Sequence, residues 1–257
     1  MLEKSLQQLR KSGRRILVPY VMAGSDPDWL SLVDLVIESG ADAVEIGIPF
    51  SDPSMDGPVI QRAGELALAR GVTPFSVLSE LRTRSFSVPI VVMTYYNLFH
   101  HMGIERAVTE LRQAGVDGVI IPDLPLEEGA NWRAMAKSQG LETVQLVSPV
   151  TSLERVDEIL AVAEGFVYGV GSMSVTGERA ELAETATAIA TRIRPRTTLP
   201  LLIGIGISNG DQAAAVVEAG ADGVVVGSAL LRRVLEGQTP SELSYFVSEI
   251  RAALDEA

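Results

Sequence analysis

Three stretches of the chain share one design: SGADAVEIG (39–47), AGVDGVIIPD (114–123) and AGADGVVVGS (219–228). In each, a helical pattern ends, a glycine turns the chain, an aspartate follows and an apolar run starts. Glycine suits the left-handed position just past a helix. The same turn met three times predicts repeated βα units, and no other feature narrows the fold as far. Eight apolar runs fit this scheme: 16–22, 43–48, 90–95, 118–122, 143–147, 166–170, 201–205 and 223–226. Each is nearly all apolar, as expected of strands covered on both sides. Amphipathic patterns such as 29–39, 104–114, 153–163 and 212–219 lie between them. The expectation is an α/β fold: one (β/α)8 TIM barrel domain over residues 1–257, with an extra N-terminal helix from MLEKSLQQLRKSGRR. The alternative is an open doubly wound sheet, which the lack of a G-x-G-x-x-G after the first strand disfavours.

Composition narrows the function. The 257 residues include no cysteine, which excludes disulfides, thiolate metal sites and cysteine nucleophiles. A net charge of -12 argues against nucleic acid or an anionic membrane as the main partner. Any bound phosphate must then be held locally, by backbone N–H groups. There is no signal-peptide core and no apolar run long enough to span a bilayer, so a cytoplasmic protein is expected.

Two connections are too elaborate for plain turns. One is EIGIPFSDPSMDGP (45–58) after the second strand; the other is GVGSMSVTGER (169–179) after the sixth. In a barrel both lie at the C-terminal ends of the strands, where barrel active sites are built. The first carries Glu45, Asp52 and Asp56. Glu45 ends an otherwise apolar strand, so its side chain points into the mouth; an unpaired carboxylate there has a raised pKa and suits general acid–base work. The plain alternative is a salt bridge to a neighbouring strand. Asp56 precedes Gly57 and Pro58, so it reads either as a second catalytic acid or as a helix N-cap or turn aspartate. Asp52 is expected to bond its own loop backbone.

Glycines mark the other side of the mouth. Strand seven ends GIGIS (204–208) and strand eight ends VGSA (226–229), which opens straight into a helix. Loops after the last two barrel strands, with a helix N-terminus, form a common phosphate cradle. Gly206, Gly227 and Ser228 are placed there, with Thr176 and Gly177 of the strand-six loop completing it. Tyr95, Asn97, Asp123 and Tyr168 end or lie in strands and read equally as site wall or packing. Met22, Met93 and Met173 read as pocket wall or as core filler. His100 and His101 are adjacent and read as surface residues, and no metal motif is present.

These motifs together resemble the tryptophan synthase α subunit family. VEIGIPFSDPSMDGPVIQ (44–61) carries the likeness most strongly, and it continues in order through PYVMAGSDPD (19–28), GVTP (71–74), MTYYN (93–97), GVDGVIIPDLPLEE (115–128), VTG (175–177), GIGIS (204–208) and GSA (227–229). The resemblance implies a lyase that cleaves indole-3-glycerol phosphate to indole and glyceraldehyde 3-phosphate, without a cofactor. It implies that Glu45 and Asp56 are catalytic and that Tyr168, Tyr95, Thr176, Gly177, Gly206, Gly227 and Ser228 bind substrate. It also implies a pyridoxal-phosphate β subunit as partner, in an α2β2 assembly.

The chain departs from the family pattern at AGSDPD, one residue longer than the usual AGDPD, at Met22 in place of threonine, and at Ser174 in place of glycine. The altered strand-six loop leaves a second reading, a stand-alone lyase that releases free indole. Further alternatives are a non-catalytic binding or activating subunit, and a barrel isomerase acting on another sugar phosphate.

Overall fold

All eight apolar runs form strands, within a residue or two of the expected limits. The computed structural model describes residues 2–170, 179–204 and 206–257, and side chains for all of these but 179–182. The strands are β1 (Ile16–Met22), β2 (Val44–Gly47), β3 (Ile90–Met93), β4 (Gly118–Ile120), β5 (Glu142–Val147), β6 (Val167–Val170), β7 (Leu201–Gly204) and β8 (Gly223–Val226). They pair in parallel in chain order, and β8 returns to β1, so the sheet is a closed barrel. The open-sheet alternative is thereby excluded.

Helices alternate with the strands along the chain. They are α1 (Leu2–Lys11), α2 (Trp29–Glu38), α3 (Pro58–Ala69), α4 (Pro74–Leu81), α5 (Tyr96–Met102), α6 (Ile104–Gln113), α7 (Ala130–Ser138), α8 (Leu153–Leu160), α9 (Arg179–Ile193), α10 (Gly210–Glu218), α11 (Ser228–Leu235) and α12 (Pro240–Glu256). Among the described residues, none is long and apolar enough to cross a membrane.

The repeated aspartates explain themselves in the structure. Gly40, Gly115 and Gly220 all adopt positive φ, which turns the chain off α2, α6 and α10. The aspartate two residues later then clasps the preceding strand with two bonds. The Asp42 N–H donates to the Leu17 carbonyl at 2.8 Å, and the Leu17 N–H donates to the Asp42 carboxylate at 2.9 Å. Asp117 does the same with Ile90, and Asp222 with Leu201. Each clasp fixes the register of a strand pair at its buried N-terminal end, so the repeat serves the scaffold and not the chemistry. Glu164 makes the equivalent pair of bonds with Thr143 at the start of β6.

Inside the barrel, alternate residues of each strand point to the axis. Ile16 and Val18 meet Ala43, Val91, Ile120, Val144, Phe166, Leu202 and Val225, while Leu17 and Val21 face the helices. The lower end is closed by α1, whose Leu2 and Leu6 are fully buried in this interior cluster. Truncating a buried leucine of this kind to alanine typically costs about 2–5 kcal/mol. The Glu142 carboxylate accepts a bond from the Glu3 N–H at 2.7 Å, which caps the first turn of α1 from the barrel itself. With the bottom filled, the free space lies at the C-terminal ends of the strands.

Candidate active site

Glu45 sits near the end of β2, between Tyr20 of β1 and Val91 of β3 in register, and is 1% exposed. It points into the barrel. Its Oε2 has no hydrogen-bond partner among the described residues, so the salt-bridge alternative has no support. Burial pushes its carboxyl up to about 8, and the nearby Asp56 charge adds to the effect. At neutral pH Glu45 therefore carries a proton.

Asp56 follows on the loop between β2 and α3. Gly57, not Asp56, is the N-cap of α3, and Pro58 opens the helix, so the N-cap alternative for Asp56 fails. Burial raises the Asp56 carboxyl to about 6, against a hydrogen bond from the Tyr95 hydroxyl that holds it down. The same Tyr95 hydroxyl accepts a bond from the Met55 N–H at 2.9 Å, and the Tyr95 ring stacks on Phe50 with centroids 5.0 Å apart. Two elements are tied here: the end of β3 holds the loop that carries the acid.

Both acids line a cavity of about 270 Å³ at the barrel mouth. Its floor is apolar, from Met93, Ile120 and Leu146 of the successive strands β3, β4 and β5 and from Val225 of β8. Tyr20, buried, and Tyr168, half-buried, form walls, and desolvation pushes both phenols well above the usual tyrosine range. At the ends of β7 and β8 the rim is Gly204, Gly206, Ile207, Gly227 and Ser228. Gly206 has φ +52, a conformation that favours glycine. Ser228 is the first residue of α11, and the N-cap Gly227 supplies no side-chain bond. The first N–H groups of α11 thus lack a side-chain cap, at a helix end that favours anions. The cavity thus joins an apolar floor to two carboxyl groups and to an uncapped helix start flanked by glycines.

Other expected residues fall elsewhere. Tyr95 is not among the cavity-lining residues; it is buried behind Asp56 and acts on the acid. Met93 lines the cavity, whereas Met22 packs with Tyr20, Ala63 and Leu231. Asn97 lies exposed in α5, and Asp123 accepts from the Tyr96 N–H at the start of that helix. Asp52 accepts from the Ser51 hydroxyl at 2.6 Å in place of the expected loop backbone. His100 and His101 are exposed, and no three potential metal ligands cluster among the described residues. Thr176 and Gly177, with Met173 and Ser174, lie outside the described residues.

The extra residue of AGSDPD is absorbed locally. Ser25 is buried, and Arg70, at the end of α3, donates to the Gly24 carbonyl at 2.8 Å and to the Ser25 carbonyl. Sequence reasoning did not single out Tyr20. Its signal was its place on β1, in register with Glu45, which only the barrel pairing reveals.

Residues 6–253 match the family model of the tryptophan synthase alpha chain. The chain belongs to the tryptophan synthase alpha chain family. It is 43% identical to the alpha chain of Geobacter sulfurreducens, over 96% of each protein. It is 40% identical to that of Synechococcus sp. strain CC9902, over 97% of this chain and 95% of the relative. The fold is that of the alpha subunit of Legionella pneumophila strain Paris, with TM-score 0.91, 35% identity and coverage of 100% and 98%. The chain is accordingly a lyase of tryptophan biosynthesis that cleaves indole-3-glycerol phosphate, as the resemblance implied.

Proposed function

We propose that Glu45 and Asp56 are the catalytic pair of this cleavage and that the chain works as an alpha subunit with a β partner. The observation that carries the reading is the separation of the two acids, about 8 for Glu45 and about 6 for Asp56, on one wall of an apolar cavity. Acids held apart in this way take opposite roles near neutral pH.

The indole ring lies on the apolar floor, and the phosphate binds the Gly206, Gly227 and Ser228 edge and the start of α11. Glu45 gives its proton to ring carbon C3 while Asp56 takes the ring N–H proton. The Glu45 carboxylate then removes the proton of the hydroxyl on the carbon attached to C3. The bond between that carbon and C3 breaks. Its electron pair returns to the ring, the oxygen keeps the carbonyl, and Asp56 returns its proton to nitrogen. Atoms and protons balance with no cofactor. Thr176 and Gly177 complete the phosphate cradle in this reading.

Three features support the partner. The curated relatives are named alpha chains over nearly their full length. A matching structure, at 32% identity, is that of tryptophan synthase from M. tuberculosis in its aminoacrylate-bound form. Met55, next to Asp56 on the same loop, is an exposed large apolar side chain at the mouth. The test is indole release from indole-3-glycerol phosphate by the purified chain, alone and with a tryptophan synthase β subunit. Slow release that rises steeply with β is expected. Fast release indifferent to β would make the chain a stand-alone lyase, and no indole in either mixture would overturn the assignment of the acids.

A further inference from the structure

Glycines at two strand ends hold open the space that two phenols fill. A Cβ at Gly47, at the end of β2, would lie 1.9 Å from the Tyr20 hydroxyl; one at Gly204, at the end of β7, would lie 2.3 Å from the Tyr168 hydroxyl. The two arrangements match. Each tyrosine stands on the preceding strand, level with the residue two positions before that glycine. Each ring therefore leans sideways over its neighbour strand. For Tyr168 the residue two before the glycine is the apolar Leu202; for Tyr20 it is Glu45. Glu45 and Gly47 are successive inward-facing positions of β2, so the Tyr20 hydroxyl occupies the inward position next after Glu45 on that strand.

We infer that Tyr20 is a positioning residue for Glu45: housed over Gly47, its hydroxyl orients the Glu45 carboxyl and donates to it once the proton has left. Four observations meet here. Tyr20 is 5% exposed and lines the cavity. Among the described residues its hydroxyl meets just the Met22 sulfur, at 4.0 Å, a weak contact that leaves the donor available. The Glu45 Oε2 is buried and also unpartnered among the described residues. Burial and the charges of Asp56 and Glu45 keep the phenol protonated, so it remains a neutral donor throughout the working pH range. A buried acceptor without a partner is costly, and a bond from the Tyr20 hydroxyl to the ionised Glu45 would offset that cost when the charge forms.

This inference rests on Glu45 being the proton-transferring acid, and the experiment separates the two. Three enzymes are compared: wild type, Tyr20→Phe and Glu45→Gln. Each is assayed for kcat and KM with indole-3-glycerol phosphate, and the Glu45 carboxyl is titrated by difference infrared spectroscopy against the Glu45→Gln spectrum, which needs no activity. Tyr20→Phe keeps the ring and the packing, and the midpoint of thermal unfolding checks that it folds. The expected result is a kcat about tenfold lower with KM within about twofold, the cost of one bond to a charged group. Alongside it, the Glu45 titration should move upward by about half a unit or more, because the charged form loses a donor. A Tyr20→Phe enzyme with wild-type kcat and an unmoved Glu45 titration overturns the inference. A loss of kcat with an unmoved titration also overturns it, since the phenol would then act only as packing. An active Glu45→Gln enzyme instead overturns the catalytic reading on which it stands.

Discussion

The Tyr95 hydroxyl accepts the Met55 N–H at 2.9 Å and donates to the neighbouring Asp56 carboxylate, so one phenol fixes both the path of the loop and the charge of its acid. Burial alone would drive Asp56 higher than about 6; the Tyr95 bond holds it down. Tyr95→Phe should therefore raise the Asp56 pKa. At neutral pH less of the enzyme carries ionised Asp56, and the rate should fall by about three- to tenfold, with partial recovery as pH rises. The pH dependence of kcat in the variant checks this. A loss that is the same at every pH would mean that Tyr95 serves only to shape the loop.

The two acids also set the pH profile of the normal enzyme. In the proposed mechanism turnover requires protonated Glu45 and ionised Asp56. Below about 6 Asp56 gains a proton and the rate falls; above about 8 Glu45 loses its proton and the rate falls again. A bell-shaped profile is expected, whose limbs belong to the interacting pair and not to either residue alone. Measuring kcat from pH 5 to pH 9 tests it (roughly the span in which such groups titrate). A flat profile over that span would remove the pair from the chemistry.

Much of this was legible from the sequence, and the reasons for success and failure differ by residue. The repeated turns of Gly40, Gly115 and Gly220 gave the βα rhythm, because positive φ and helix ends leave a local mark. Glu45 stood out because a carboxylate in an apolar run has no local explanation. Gly57 as the N-cap of α3 was not anticipated, since glycine and aspartate are both good caps. Tyr20 was missed for a different reason. Its meaning comes from β1 lying beside β2 with Tyr20 level with Glu45, and from Gly47 leaving room for the ring. Pairing register between strands leaves no trace in either strand alone. Tyr95 reads from sequence equally as site wall or packing; its bonds to Met55 and Asp56 come only from the loop's fold.

Glu45 should cost stability as well as supply chemistry. Its folded pKa, about 8, lies above its ordinary value of 4.5. Between those values the folded protein binds more protons than the unfolded chain, so stability falls as pH rises through the window, and the loss is complete above about 8. Glu45→Gln has no such proton to lose. It should abolish turnover and yet gain stability relative to the normal enzyme as pH rises, by about 1–3 kcal/mol at the upper end. Urea unfolding of both proteins at pH values on either side of the window measures the difference. A gap that does not change with pH would show that Glu45 is not buried as an acid.

The aspartate clasps predict the opposite separation, of stability lost with chemistry retained. Asp42 is buried and bonds the Leu17 N–H, Arg14 at 2.6 Å and the buried Arg251 at 3.0 Å. Arg251 is further joined to Asp255 at 2.7 Å, but that carboxylate is half exposed and cannot replace Asp42 in the interior. Removing Asp42 leaves a buried guanidinium short of its main countercharge and the Leu17 N–H without its side-chain acceptor. A loss of about 3–5 kcal/mol is expected for Asp42→Ala. The cluster lies at the N-terminal end of β1 and β2, at the far end of the strands from the cavity, so kcat measured at a temperature where the variant stays folded should match the normal enzyme. Denaturant unfolding gives the first quantity and a cold activity assay the second. An Asp42→Ala protein of ordinary stability would mean that the repeated aspartate is a relic of sequence and not the clasp that sets strand register. A stable variant with impaired turnover would place the lower barrel in the catalytic machinery.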